Sequence, residues 1–257
     1  MYIDCPSIYQ RTSQLMKCIN DLSWPIKKKL VYIFVIFVSH SIAAQISFTE
    51  SSASQSINVS HGTGAFVGGI SFFDFNNDGW DDLTFASNNG DPVYFYQNIN
   101  GTLSSVSLNL VDNLNDTRQI YWVDIDNDGD NDLFVVSNNA SNRLYLNDGN
   151  MNFTDITVTS GISTATMQSW GGSWGDYNND GYLDVFISNR DIANGLQPNL
   201  LYRNNGDTTF TDVSSSAGIS NLNHLSFCAS FFDFNNDGWQ DIYIANDRFT
   251  TSNILYK

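Results

Sequence analysis

The sequence predicts an all-β fold made of four similar units, and three observations lead to it. A decapeptide rich in Asp, Asn and Gly occurs four times, starting at Asp74, Asp124, Asp176 and Asp233. Short runs of β-branched and aromatic residues, separated by Gly, Asn and Asp, surround each copy. No stretch after residue 44 has apolar residues at helical spacing over three turns. Four short strands in about 50 residues are the size of a propeller blade, so we predict a β-propeller of four-stranded blades.

The elements of a repeat are expected in a fixed order. In the second repeat, an aromatic-rich run at 120–123 precedes the decapeptide, and a β-rich run at 134–136 follows it. An Asn-containing loop then leads to a second strand-like run at 143–146, and a turn leads to a third at 153–156. Gly, Asn and Asp supply the backbone conformations that such turns need. The repeats are predicted at about 65–115, 116–166, 167–222 and 223–257, and the last is truncated.

The first part of the chain is predicted to be a leader, residues 1–44, with the core of a secretory signal peptide at 27–44. Three lysines at 27–29 precede an apolar run at 30–38, and small residues follow before Gln45, which is the order found in signal peptides. The apolar run is shorter than the about 20 residues that a membrane span requires. We therefore predict a secreted or cell-surface protein whose propeller region is 45–257. An uncleaved membrane anchor is the alternative.

The composition excludes two classes of protein and one kind of scaffold. Asp and Glu number 27 against 11 Lys and Arg, a net charge of −16, so no basic patch is available for nucleic acid. Aromatic residues make up 14% of the chain, which is too much apolar bulk for a disordered acidic tail. Cys5 and Cys18 would leave with the leader, and Cys228 alone cannot form an internal disulfide. The exported region therefore needs another kind of cross-link.

The decapeptide has the donor pattern of a calcium-binding loop. Positions 1, 3, 5 and 9 of each copy carry Asp or Asn, and Gly at position 6 lets the carbonyl of position 7 turn inward. This set of hard oxygen donors, without sulfur or imidazole, suits Ca²⁺ better than Zn²⁺ or the more strictly octahedral Mg²⁺. We expect about one Ca²⁺ per loop, up to four. The predicted metal-site residues are Asp74, Asn76, Asp78, Trp80 and Asp82 (loop 1), Asp124, Asp126, Asp128, Asp130 and Asp132 (loop 2), Asp176, Asn178, Asp180, Tyr182 and Asp184 (loop 3), and Asp233, Asn235, Asp237, Trp239 and Asp241 (loop 4).

Two alternatives to a calcium site follow from the same loop residues. An EF-hand loop begins in the same way but needs an acidic residue at position 12 and helical flanks. Position 12 is apolar in all four copies: Phe85, Val135, Ile187 and Ile244. The second alternative is a set of Asn- and Asp-rich turns that bind nothing. Repetition of Asp at positions 1, 5 and 9 and of Gly at position 6 in every copy favours the metal site.

These residues resemble the FG-GAP/VCBS-like repeats of integrin α-type propellers. Residues 168–185 and 198–219 also look like repeats of the cartilage acidic protein-type and ASPIC/UnbV-associated secreted proteins. The resemblance covers about 46–257 and implies Ca²⁺ in the blade loops and an extracellular interaction role. Integrin-type propellers have seven blades, so the four repeats are interpreted as an incomplete, N-terminal part of a longer propeller. The alternative is a closed ring of four blades, with 46–50 supplying the missing strand.

The sequence offers no convincing catalytic group, so we predict a protein that is not an enzyme. Residues 171–175 match G-x-S-x-G, a motif that requires a strand, a sharp turn and a helix, whereas here they align with the inner strands of other repeats. The aromatic residues at position 7, Trp80, Tyr182 and Trp239, are expected to pack beside the hairpin, or else to form a sugar-stacking surface. The predicted partner is an extracellular protein or polysaccharide. The alternative function is the accessory propeller of an extracellular enzyme whose catalytic part lies outside this chain.

Overall fold

The computed structural model describes residues 48–59, 68–111, 113–190, 197–219, 225–247 and 252–257. The predicted leader and its signal-peptide core lie outside these residues. The chain divides into two units, Met1–Glu50 and Ser51–Lys257, and within the first unit residues 48–50 are not part of a strand. The described ranges contain fifteen β-strands and no α-helix. In this part of the chain, nothing helical has the length and apolar character that crossing a bilayer requires.

Blade 1 is a four-stranded antiparallel sheet with its strands in chain order. They are β1 (Ile70–Phe73), β2 (Asp82–Phe85), β3 (Tyr94–Ile99) and β4 (Thr102–Val106). The turn between β3 and β4 contains Asn100 and Gly101, with φ of 53° and 87°. Asn and Gly tolerate these left-handed conformations, which match the twist of a tight hairpin. Because β4 lacks the Phe-Thr-Asp run of the later repeats, the sequence pattern alone does not indicate it.

Blades 2 and 3 repeat this arrangement, and blade 4 contributes three strands. Blade 2 comprises β5 (Asp116–Val123), β6 (Asp132–Ala140), β7 (Arg143–Asn147) and β8 (Phe153–Asp155). Blade 3 comprises β9 (Met167–Gly175), β10 (Asp184–Asn189), β11 (Leu200–Asn204) and β12 (Phe210–Asp212). Blade 4 comprises β13 (Ser226–Phe232), β14 (Asp241–Asn246) and β15 (Ile254–Tyr256). A short pairing of β6 with β9 joins blades 2 and 3 into one eight-stranded sheet.

The first strands of successive blades are neighbours. The Tyr121 hydroxyl on β5 donates to the carbonyl of Gly172 on β9 at 2.6 Å. A Cβ on Gly171 would lie 2.7 Å from the carbonyl oxygen of Phe227 on β13, so only glycine allows this approach. The G-x-S-x-G motif is therefore part of a continuous extended strand with small residues between neighbouring blades. The strand–turn–helix that a nucleophilic serine of this motif requires is not present there.

The apolar core lies between blades. Trp122 of blade 2 stacks on Phe75 of blade 1, with ring centroids 4.9 Å apart, and its indole N–H donates to Thr84 at 3.0 Å. Fully buried Phe134 of blade 2 and Val185 of blade 3 belong to the next cluster. Since each blade has apolar faces and buries at least one of them against a neighbour, the blades stack side by side. The predicted all-β fold of propeller-type blades is confirmed.

Blade 4 has an exposed apolar face, whereas the equivalent face of blade 2 is buried. By position in the repeat, its exposed residues correspond to buried residues of blade 2. The blade 4 set, each 39–40% exposed, is Phe232, Phe234, Tyr243 and Leu255. The blade 2 set, each at most 6% exposed, is Val123, Ile125, Phe134 and Leu144. On the opposite side of the stack, Ile70 and Phe72 of blade 1 are also exposed. Within the described residues the blades thus form a partial propeller with two open apolar faces.

Candidate metal centres in the blade loops

The four decapeptides form loops of one shape, each between the first and second strand of its blade. The Asn at position 4 has a left-handed φ in every loop: 58° in Asn77, 61° in Asn127, 55° in Asn179 and 58° in Asn236. The Gly at position 6 has φ between 89° and 93° in all four. Asn and Gly adopt this region with less strain than other residues. The repeated pattern N-D-G at positions 4 to 6 therefore fixes the backbone around the donor groups.

The position 1 carboxylate holds the turn together. In loop 1, the two oxygens of Asp74 accept hydrogen bonds from the main-chain N–H groups of Asp78 at 3.0 Å and Gly79 at 2.7 Å. The equivalent pairs occur in the other loops, on Asp124, Asp176 and Asp233. Each carboxylate oxygen has a further lone pair, so the same group can also coordinate a cation at the centre of the loop.

The position 9 aspartates are buried and are held by main-chain donors. Asp132 accepts from the N–H of Ile125 at 3.1 Å and from the N–H of Asn147 at 2.8 Å. Asp82 and Asp184 make the same two bonds, and Asp241 accepts from Phe234. The sequence pattern predicts the position 9 aspartate as a metal-site residue. In the structure, its carboxylate links loops 1 to 3 to the third strand of the same blade.

Burial raises the pKa of the position 9 carboxyls in loops 1 to 3, most strongly in loops 2 and 3. For both Asp132 and Asp184 the pKa rises to about 7, mainly because desolvation disfavours the charged form. Nearby carboxylates, Asp126 for the first and Asp180 for the second, raise it further. The main-chain hydrogen bonds act in the opposite direction. Negative charge at these positions is therefore costly unless a positive charge is close.

A set of asparagines that the decapeptide pattern did not indicate supports the loops. The side-chain amides of Asn98, Asn147 and Asn204 donate to the position 8 carbonyls of their own blades at 3.0, 3.1 and 3.2 Å. Their main-chain N–H groups are the second donors to the position 9 carboxylates. The sequence contains a pattern that identifies these asparagines: each Asn lies two residues after a Tyr in the third strand of its blade.

Loop 2 differs from the others at position 3. In loops 3 and 4, an Asn amide donates to the position 5 carboxylate at 2.8 Å, Asn178 to Asp180 and Asn235 to Asp237. Loop 2 has Asp126 instead, which has no proton to donate when it is ionised. Oxygen atoms of Asp124, Asp126 and Asp128 consequently all lie within 4.8 Å of one another. Three carboxylates at this spacing repel one another unless a cation lies between them.

The pKa values reflect this difference. The pKa of Asp237 in loop 4 is lowered by a hydrogen bond from the Trp239 N–H and by the Asn235 amide. The pKa of Asp126 in loop 2 is raised by desolvation and then by the charge of Asp128. Desolvation and Asp128 likewise raise the pKa of Asp130. Loop 2 is therefore the loop in which the carboxylates are least well compensated by protein donors.

The position 7 residues contribute to the loops through the main chain. Their N–H groups donate to the position 5 carboxylates, as Tyr182 does to Asp180 at 3.0 Å. The side chains of Trp80 and Trp239 are 44% and 53% exposed, whereas the Tyr182 ring covers Gly206, where a Cβ would meet it at 2.8 Å. The expected packing beside the hairpin thus holds for Tyr182, while the two indoles are largely open to solvent.

The donor set of every loop fits a hard divalent cation. Positions 1, 3 and 5 offer carboxylate or amide oxygens, and neither sulfur nor imidazole is among the donor groups. In loop 2, the carboxylates at positions 1, 3 and 5 lie close together. These residues would hold Ca²⁺, which takes six to eight oxygen ligands, more readily than Zn²⁺.

Stacked four-stranded blades with an aspartate-rich loop between the first two strands define a repeat protein of the propeller class. The FG-GAP-like repeat pattern matches residues 74–135, 124–187 and 190–244. The chain belongs to this family, which confirms the resemblance noted in the sequence.

Individual relatives were also found. The chain is 28% identical over 177 residues to cartilage acidic protein 1 of Xenopus tropicalis and to that of Homo sapiens. Each alignment covers 68% of this chain and 25% of the relative, so the chain matches about a quarter of the length of these proteins. Among solved structures, it is similar to an Agrocybe aegerita lectin described for its specific recognition of non-reducing terminal N-acetylglucosamine. The TM-score is 0.43, with 20% identity and coverage of 69% of this chain and 46% of the lectin chain.

Proposed function

We propose that this protein is a secreted or cell-surface, calcium-stabilised propeller module that binds an extracellular protein or polysaccharide and catalyses no reaction. The observation that carries the calcium assignment is the group of three loop 2 carboxylates whose oxygens lie within 4.8 Å of one another. The net charge of −16 adds to the argument, because so acidic a chain gains most from specifically bound cations. Export rests on the signal-peptide pattern at 27–44.

A bound ion would give each loop a cross-link. The cysteines of the exported region cannot provide one, because Cys228 is alone there. The residues at positions 1, 3 and 5 of a loop would hold the ion, and Ca²⁺ would supply charge neutralisation there. The position 1 and position 5 carboxylates accept hydrogen bonds from main-chain donors, so part of the ordering that binding requires is already in place. If free Ca²⁺ exceeds the Kd tenfold, each site adds about 1.4 kcal/mol to stability by mass action.

A cavity beside loop 2 supports the binding role. It measures about 580 Å³ and is lined by Tyr121, Asp124, Asn131, Ser173 and Trp174, among others. Aromatic faces with a few polar groups around them are typical of sites that hold a ligand. Because Asp124 belongs both to this cavity and to loop 2, an ion in the loop and a ligand in the cavity would lie on either side of the same residue.

Calorimetric titration of the exported chain with Ca²⁺ tests the metal assignment. We expect uptake of several ions, and the loss of about one of them in the variant D124N/D128N. The matched control is D81N, which removes an acidic group at position 8 of loop 1, outside the donor set. A parent chain that takes up no Ca²⁺ would refute the assignment.

The binding role is tested separately with immobilised extracellular polysaccharides and matrix proteins, in calcium and in chelator. Asn131→Trp narrows the cavity, and Asp81→Trp makes the same change at the equivalent position of loop 1. Retention that N131W abolishes and D81W preserves supports a ligand in the cavity. Equal retention by both variants would place the binding surface elsewhere and contradict this part of the proposal.

A further inference from the structure

The position 4 asparagines connect the loops of successive blades. The side-chain amide of Asn127 in loop 2 donates to the carbonyl of Gly181 in loop 3 at 2.9 Å. Asn179 in loop 3 donates in the same way to Gly238 in loop 4 at 3.0 Å. Asn77 in loop 1 approaches the carbonyl of Gly129 in loop 2 at 3.5 Å. In each case, the acceptor is the position 6 glycine of the next loop along the chain.

The accepting peptide group also holds a candidate metal ligand. The peptide that begins with the Gly238 carbonyl ends with the N–H of Trp239, and this N–H donates to Asp237 at 2.9 Å. In loop 3, the N–H of Tyr182 donates to Asp180 at 3.0 Å. One planar peptide is therefore held on its oxygen by the preceding loop and on its nitrogen by the position 5 carboxylate of its own loop.

The donor end is fixed by the preceding loop. Asn179 lies between Asn178 and Asp180, the position 3 and position 5 donors of loop 3. Its φ of 55° is set by the loop backbone. Ordering the position 3 and position 5 groups around an ion therefore also orders the side chain that extends to loop 4.

We propose that the position 4 asparagines couple the calcium loops in series, so that each loop raises the Ca²⁺ affinity of the next loop along the chain. Asn127 acts on loop 3 and Asn179 acts on loop 4, as positioning residues rather than ligands. This inference rests on the proposed calcium function. The coupling has a direction along the chain, because the amide donor always lies on the preceding loop.

Terbium luminescence provides a readout for loop 4. Tb³⁺ substitutes for Ca²⁺, and Trp239 at position 7 can sensitise its emission. The component of the emission that disappears in W239F belongs to loop 4. We expect Asn179→Gly, which keeps the left-handed backbone accessible, to weaken Tb³⁺ binding at loop 4 by about fivefold, the value of one ordinary hydrogen bond. The matched control is Asn127→Gly, the same change one blade earlier, which should leave loop 4 within about twofold once loop 3 is filled, because Asn179 is intact.

A double-mutant cycle gives an independent measurement. Asp180→Asn disables loop 3, and we expect it to weaken loop 4 in the parent chain but not in the N179G background. Equal loop 4 affinities in the parent chain, N179G and N127G, with Tb³⁺ still bound, would overturn the coupling and leave the calcium sites standing. A parent chain that binds neither Tb³⁺ nor Ca²⁺ would overturn both. Far-UV circular dichroism of each variant establishes that the blades are folded in every comparison.

Discussion

The buried side chain of Asn204 donates a hydrogen bond to the main-chain carbonyl of Ile125, 2.7 Å away. Asn204 lies at the end of β11 in blade 3, and Ile125 is the second residue of loop 2. The same amide donates to Leu183 in loop 3 at 3.2 Å. One asparagine therefore joins two adjacent loops through their main chains, independently of any ion.

Replacing Asn204 with Ala should destabilise the fold even without metal. The change leaves the carbonyls of Ile125 and Leu183 without this donor in a buried environment, at a cost of about 1–3 kcal/mol. Urea unfolding in the presence of a chelator measures the loss. Asn205→Ala, the same substitution at the adjacent exposed position, is the control and should cost much less. Equal midpoints for N204A and N205A would show that the Asn204 bridge contributes little.

Asn at position 3 should favour the stability of the metal-free protein, and Asp at position 3 should favour calcium affinity. Asp126→Asn gives loop 2 the amide donor of the other loops, so the chelator-treated protein should melt at a higher temperature while calcium affinity at loop 2 falls. The reciprocal change, Asn178→Asp, should lower the metal-free melting temperature and strengthen calcium binding at loop 3. Melting curves with and without calcium, together with calorimetry, test both. If the two substitutions move stability in the same direction, carboxylate repulsion does not govern these loops.

The repeated decapeptide allowed the blades and the position of the loops to be predicted, because both are local properties of the sequence. The alternation of β-rich runs and Asn-Asp-Gly turns within 120–156 predicts four strands that the structure contains: β5, β6, β7 and β8. Asp124, Asp126 and Asp128 follow from the spacing alone, and the structure brings them together.

The remaining features depend on partners that are distant in sequence. Asp132 at position 9 is held by Asn147, fifteen residues later, and Asn127 finds its acceptor 54 residues away. Spacing within a decapeptide contains no information about such contacts, because the register between strands and the stacking of blades determine them. β4 was missed for a related reason: its residues match no other repeat, and the Asn100-Gly101 turn together with pairing to β3 defines it.

The metal-free protein should become less stable as the pH rises through neutrality. The folded-state pKa of Asp132 and Asp184 is about 7, above the ordinary value of 3.8. Groups of this kind favour the folded state when protonated, and the benefit is lost as the pH rises through the folded pKa. In chelator, the melting temperature should therefore be higher at about pH 5.5 than at about pH 8. Carboxyls with lowered pKa, such as Asp148 and Asp237, titrate below this window.

Two variants identify the source of this pH dependence. D132N removes one of the two buried titrating groups and should reduce the difference in melting temperature between the two pH values. D207N changes an exposed carboxyl in the turn before β12 and should leave that difference unchanged. A melting temperature that is constant from about pH 5.5 to about pH 8 in chelator would contradict the raised pKa values.

Close approach of the inner strands should make Gly171 intolerant of a side chain. A Cβ there would meet the Phe227 carbonyl oxygen at 2.7 Å and the Cys228 Cα at 3.3 Å, so β9 and β13 would have to move apart. We expect Gly171→Ala to destabilise the protein by about 1–3 kcal/mol, as overpacking does. Ser173→Ala, on the same strand, removes only a 3.3 Å hydrogen bond from the Phe231 N–H and should cost about 0.5–1 kcal/mol. Urea unfolding ranks the two variants, and a neutral G171A would mean that blades 3 and 4 are not packed this closely at their inner strands.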